Sequence, residues 1–252
     1  MINDKSVKKI DYSLKSIGRV FLLIIVTLLC YSCAFFIPFV FLYKVIQLLN
    51  FSYVSHIFIF SISLALSYLI LVFSMMISST LFIRLLRVRY KEGDYVSTIK
   101  NKMSFKFILS YALYFPTYKT IGFLNMPPVK VLFLKMIGCK IGKNVALSAD
   151  EWIFDPYVTE IGDNTTIGAR SMILGHIGER HLIIKKVKIG KNVLIGGDCF
   201  IMPGVVIEDN VMLGAKSLVL KDQILNNGKI YAGVPAKEVN TFDTTGDKIS
   251  EA

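Results

Sequence analysis

From Ile141 onward one spacing governs the chain: an aliphatic residue returns every six positions. It stands at Ile141, Leu147 and Ile153, at Ile161, Ile167 and Ile173, and at Ile189, Ile195, Ile201, Ile207, Leu213 and Val219. Neither the 3.6-residue period of a helix nor the two-residue alternation of an ordinary strand produces an interval of six. A triangular solenoid does. Each hexapeptide is one short strand plus a turn, three make a coil, and successive coils stabilise one another through neighbour contacts. Small or acidic residues that suit the turn follow many of these positions, as at Gly142, Gly162, Gly168, Gly190, Gly196, Glu208 and Gly214. Twelve such positions make about four coils of an all-β parallel β-helix, assigned to residues 138–239.

The period slips twice. Eight residues separate Ile153 from Ile161, which predicts a bulge near Asp155-Pro156-Tyr157. Sixteen separate Ile173 from Ile189, so a loop within Gly175 to Lys186 leaves the solenoid. That loop carries His176 and His181, and insertions of this kind are where solenoids commonly place function.

Upstream the chain is of another kind. Hydrophobic residues make up 54% of the whole, too many for an ordinary soluble protein, and the excess lies in the first third. Val20 to Tyr43 and Ile57 to Ile83 contain no formal charge. Each exceeds the roughly 20 residues a helix needs to cross a bilayer. The first is too long for the apolar core of a signal peptide, and no small-residue cleavage pattern follows it. Residues 1–103 therefore read as a two-helix transmembrane hairpin with basic flanks. Lys5, Lys8, Lys9, Lys15 and Arg19 precede it; Arg84, Arg87, Arg89, Lys91, Lys100, Lys102 and Lys106 follow it; Lys44 alone lies in the connection. By the positive-inside rule both termini and the repeat domain face the cytoplasm. Residues 104–137 predict two interfacial helices, Ser104 to Phe115 ended by Pro116 and Val129 to Ile137, with Lys130 and Lys135 on a polar side. A packed linker over the first coil is the alternative. Residues 240–252 read as a flexible tail.

The net charge of +11 flanks apolar segments and reads as a rim for anionic lipid rather than a nucleic-acid surface. Cys30 and Cys33 lie inside an uncharged run, and Cys139 and Cys199 are isolated, so neither a disulfide framework nor a metal motif emerges.

The repeats with Gly175-His176, the segment Ile195-Gly-Gly-Asp-Cys-Phe-Ile-Met-Pro-Gly204 and the tail Ala232-Gly-Val-Pro-Ala-Lys237 resemble the hexapeptide-repeat acyltransferases, over about residues 137–239. Arg89-Tyr-Lys-Glu-Gly-Asp-Tyr95 and the approach to Gly138-Cys-Lys-Ile-Gly142 are more loosely similar to membrane-anchored relatives at the ends of some peptide synthetases and in polymer-modifying proteins. The resemblance implies a left-handed β-helix, a homotrimer, and acetyl-CoA or another acyl-CoA as co-substrate in the groove between neighbouring β-helices. It implies His176 as general base, a task suited to imidazole. It matches Gly197 and Ala215 to backbone N–H donors for the thioester and pantetheine arm, and Ala232, Gly233 and Pro235 to the turn beside coenzyme A. Lys237, and more weakly Lys221, would meet a phosphate. Asp155 and Glu151, and less readily Glu179, are candidates to orient the base; His181 is a candidate for the acceptor pocket. The chain departs from the pattern at Ile177, Leu194 and Val234.

Two other functions fit this fold class. The pair His176 and His181 is compatible with a gamma-class zinc hydratase such as carbonic anhydrase. That reading wants a third histidine one coil earlier, and none stands between His56 and His176. The other alternative is a non-catalytic trimeric scaffold at the membrane. The acyltransferase reading predicts no metal, and membrane lipids as partners.

Overall fold

The computed structural model describes residues 13–148, 150–178 and 181–240. Two long helices come first, α1 (Leu14–Leu48) and α2 (Val54–Leu85). Both are long and apolar enough to cross a membrane. Their large side chains point outward, among them Phe21, Phe36, Phe39, Phe58 and Ile77. Their buried positions include many small residues: Val26, Cys30, Ala34 and Pro38, four residues apart on α1, and Ser63, Ser67, Ser74 and Ser78 on α2, beside the larger Val72, Met75, Met76 and Ile83. Small residues let two helix backbones approach closely, and Ser78 donates its hydroxyl to the Cys30 carbonyl at 2.6 Å.

Helix α3 runs from Lys102 to Phe123, capped by Asn101, whose side chain accepts from the backbone of Met103 and Ser104. Pro116 was expected to end it near Phe115 and instead lies inside. A proline leaves the carbonyl four residues back without its helical donor. Here that carbonyl, of Ala112, accepts from the Tyr31 hydroxyl of α1 at 3.2 Å, so the helix continues. Helix α4 (Pro127–Ile137) starts two residues earlier than expected, with proline in its first turn.

The two helices form a wedge over the first coil. Lys130, expected on a polar side, is buried and pairs with buried Glu151 at 3.0 Å. Tyr118 donates to the same carboxylate, and Tyr114 to the Phe154 carbonyl. Burial pushes the Glu151 carboxyl above its ordinary range, and the Lys130 ammonium counters part of that shift.

Beyond Gly138 the chain winds into three parallel ladders. The first face stacks Lys140–Ile141, Thr159–Ile161, Val187–Ile189, Val206–Ile207 and Ile224–Leu225. The second stacks Ala146–Leu147, Thr166–Ile167, Leu194–Ile195, Met212–Leu213 and Ile230–Ala232, with Lys237–Val239 folded back antiparallel on its last strand. The third stacks Trp152–Ile153, Met172–Ile173, Phe200–Ile201 and Leu218–Val219. The six-residue aliphatic positions fill the axis, and Leu225 and Tyr231 extend the series. At the edge between first and second faces, Asn144, Asn164, Asn192 and Asn210 adopt φ of 52, 57, 54 and 59°. Asparagine tolerates that left-handed conformation. Their amides also bond end to end, reaching Asn227.

Candidate active site

Both interruptions of the period lie on the edge between the third and first faces, one coil apart. The first is a 3₁₀ turn, Pro156–Val158, tied down when Val158 N and the Thr159 hydroxyl donate to the Asp155 carbonyl at 3.1 and 2.8 Å. The turn leaves the Asp155 side chain fully buried. The second is not an irregular loop. Strands His176–Gly178 and His181–Ile184 form an antiparallel hairpin, and Gly93–Val96 adds a third strand. Glu179 lies outside the described residues.

These pieces meet at one carboxylate. Asp155 Oδ2 accepts from Gly175 N at 2.8 Å and lies 2.7 Å from His176 Nδ1; Oδ1 accepts from the Tyr90 hydroxyl at 3.0 Å. Gly175 is required by the close approach. A Cβ there would stand 2.8 Å from Asp155 Cβ and 2.4 Å from Val158 Cγ2. With Asp155 ionised, Nδ1 is the protonated nitrogen and Nε2 keeps its lone pair. The ring of Phe107, on α3, meets the imidazole edge-on at 4.8 Å. The His176 side chain is 22% exposed, reachable but held on one side. Burial, then the Asp155 charge, keep the Tyr90 phenol well above its ordinary pKa, so it stays a donor.

The other candidates sort themselves by edge. Glu151 is on a different edge from His176 and serves Lys130 and Tyr118, so of the two acids only Asp155 reaches the imidazole. The reason is register: Glu151 precedes the third-face strand and Asp155 follows it. His181 Nδ1 lies 2.9 Å from Asp94 on the strand Gly93–Val96, half-exposed. The two histidines thus face separate carboxylates.

Gly197 and Ala215 occupy equivalent positions on the edge between second and third faces, in line with Ala169 below and Gly233 above. Along it, Asp198 N donates to Ala169 O and Lys216 N to Gly197 O, both at 2.8 Å. The N–H groups of Gly197 and Ala215 donate to no described residue. The column carries nothing larger than a methyl group, so an amide-bearing chain can approach the backbone. Gly233, at φ +100°, begins the turn that returns the chain to Lys237; Ala236 N donates to Leu218 O at 2.7 Å and clasps that turn onto the last coil. Ala232, Pro235 and Lys237 belong to the same turn, with Lys237 exposed. Tyr90 and the strand Gly93–Val96 were not assigned from sequence. Among the described residues no three His, Cys, Asp or Glu side chains gather as a metal set.

Two family models match the repeats: the bacterial transferase hexapeptide (six repeats) over residues 186–221 and the hexapeptide repeat of succinyl-transferase over 158–179. The putative acetyltransferase YvoF of Bacillus subtilis is 30% identical over 169 residues, 65% of this chain and 88% of that protein. Galactoside O-acetyltransferase of Escherichia coli is 36% identical over 115 residues, covering 41% of this chain and 55% of the relative. A solved maltose O-acetyltransferase from Clostridium difficile 630 superposes with a TM-score of 0.36 at 19% identity, covering 51% of this chain and 86% of that one. Given the repeats, the family models and the match along most of YvoF, this chain belongs to the hexapeptide-repeat acyltransferase family and is an acyl-CoA-dependent acyltransferase.

Proposed function

We propose that this chain is a membrane-bound acetyltransferase that acylates a hydroxyl or amine of a lipid-linked, envelope or small-molecule acceptor, with His176 as general base. The observation that carries the reading is the 2.7 Å contact between His176 Nδ1 and the buried Asp155 carboxylate. It holds the ring in one tautomer and leaves Nε2 able to take a proton. His176 Nε2 accepts the acceptor's proton as the oxygen or nitrogen bonds to the thioester carbon. The tetrahedral adduct then collapses, the carbon–sulfur bond breaks, and the imidazolium returns the proton to the departing sulfur. The Gly197 and Ala215 N–H groups would hold the thioester carbonyl and the amide-bearing arm, where a fixed donor stabilises developing negative charge. Ala232, Gly233 and Pro235 would flank the arm, and Lys237 would meet a phosphate.

The coils are left-handed on the family resemblance, and the geometry favours a homotrimer. His176 and the Gly197–Ala215 column lie on the two edges that bound the third face, so one chain does not join them. Trp152 and Phe154 of that face pack against Phe115 of α3, and the remaining outward residues, Met172, Leu174, Phe200, Met202, Leu218 and Leu220, are all apolar. A second copy laid against this face covers it and brings one copy's histidine edge beside the other's N–H column.

The outward-facing apolar surfaces of α1 and α2 support a transmembrane hairpin, and the Lys and Arg that flank it support placing the repeat domain in the cytoplasm. Ser52→Cys, between the helices, is expected to react with a membrane-impermeant maleimide on intact cells, and Lys191→Cys only after permeabilisation. The reverse pattern would separate the enzyme from cytoplasmic acyl-CoA and defeat the proposal. A chelator is expected to leave turnover unchanged; activity lost on chelation and restored by zinc would move the reading to the metal hydratase.

A further inference from the structure

The geometry points to Tyr90 as a positioning residue for the general base: its hydroxyl locks the Asp155 carboxylate, and through it the imidazole of His176. This inference rests on the acyl-transfer reading above and adds a residue to it.

Asp155 is completely buried, so both oxygens depend on protein donors. Oδ2 is shared by Gly175 N and the His176 ring. Oδ1 has one donor among the described residues, Tyr90 at 3.0 Å. Without it the carboxylate is anchored through a single oxygen, free to swivel, and one buried anionic oxygen goes unpaired. Hydrogen bonds to a charged group are among the strongest a protein makes, and losing one partner costs more than the mean bond is worth.

Tyr90 is itself held tightly. It follows the turn that ends α2, where Val88 N donates to Ile83 O at 3.0 Å. Its ring is buried edge-on against Tyr157 at 5.0 Å and Phe107 at 5.2 Å, and Phe107 also touches His176. The chain then runs into the strand Gly93–Val96, which pairs with the histidine hairpin, while Glu92 accepts from Lys186 N at 2.7 Å. The segment leaving α2 therefore holds the histidine from three sides: through Asp155, through Phe107 and through the hairpin. Within that segment, it is Tyr90 that bonds the carboxylate.

The test is a double-mutant cycle in the full-length protein, with acetyl-CoA and a measured acceptor. Tyr90→Phe keeps the ring and removes only the hydroxyl. It is expected to lower kcat about ten-fold, with KM for acetyl-CoA within about two-fold and a melting temperature lowered by a few degrees, as the unpaired buried oxygen requires. In a His176→Ala background the same substitution is expected to change kcat by less than about two-fold, because the imidazole through which it acts is already gone. Wild-type kcat in Tyr90→Phe, with Tyr90→Ala slow, would mean that the ring packs and the hydroxyl does nothing, and the inference fails. A ten-fold loss undiminished in His176→Ala would equally overturn it, since Tyr90 would then act elsewhere. Wild-type turnover in His176→Ala would instead remove the reading on which it rests, a result distinct from both.

Discussion

Replacing His176 with alanine is expected to reduce kcat by about a hundred-fold or more, the usual range for loss of a general base, with KM for acetyl-CoA changed less than about two-fold. The split follows from the edges of the prism. His176 stands between the third and first faces, whereas the proposed CoA contacts at Gly197 and Ala215 stand between the second and third. Deleting the imidazole therefore leaves the CoA column untouched. Folding should survive, because Asp155 keeps its bonds from Gly175 N and Tyr90 and the ring lost was partly exposed. His181→Ala serves as the control. It breaks only a half-exposed contact with Asp94, and exposed ion pairs contribute about 0–1 kcal/mol, so turnover is expected to stay within a few-fold of wild type. Near-normal activity in His176→Ala with collapse in His181→Ala would reassign the base.

The solenoid was legible because its signal is repeated: each inward aliphatic residue is weak alone, but twelve at one interval admit few folds. The breaks in the period were informative for the same reason: one marked the bulge at Asp155-Pro156-Tyr157 and the other the insertion that carries His176. What the repeat did not carry was pairing outside it. The strand Gly93–Val96 has four residues and no periodicity, and its partner lies nearly ninety positions away, so the resemblance at Arg89 to Tyr95 marked the segment without its pairing. Tyr90 was hidden with it. Nothing in the sequence links a tyrosine after an apolar helix to Asp155, sixty-five positions on; the fold sets them together. Glu151 and Asp155 had equal standing as acids one coil before the histidine. Only the strand between them, Trp152–Ile153, decides that one turns toward Lys130 and the other toward His176. Pro116 misled in a third way: the bond that replaces its missing donor comes from Tyr31 on another helix, which no local rule anticipates.

Asp155→Asn is the sharper probe of the mechanism, because shape is nearly conserved while charge is not. If the amide oxygen takes the place of Oδ2, it still accepts from Gly175 N and His176 Nδ1–H, and the amide NH₂ faces the Tyr90 oxygen, which turns from donor to acceptor. The ring then stays close to its place. The negative charge opposite the imidazolium that forms as the acceptor gives up its proton is lost. A charge-assisted hydrogen bond contributes about 1.5–3 kcal/mol. With about 1.4 kcal/mol per factor of ten in rate, the upper part of that range corresponds to roughly a hundred-fold in kcat, close to the loss from His176→Ala itself. The two should therefore not multiply. In the double variant His176→Ala, Asp155→Asn, kcat is expected to match His176→Ala alone, since a carboxylate with no imidazole to serve has no catalytic task. If Asp155→Asn instead retains near wild-type turnover while His176→Ala is inactive, the base works without its carboxylate. Asp155 would then be a buried anchor of the hairpin, with its effect appearing in the melting temperature rather than in kcat.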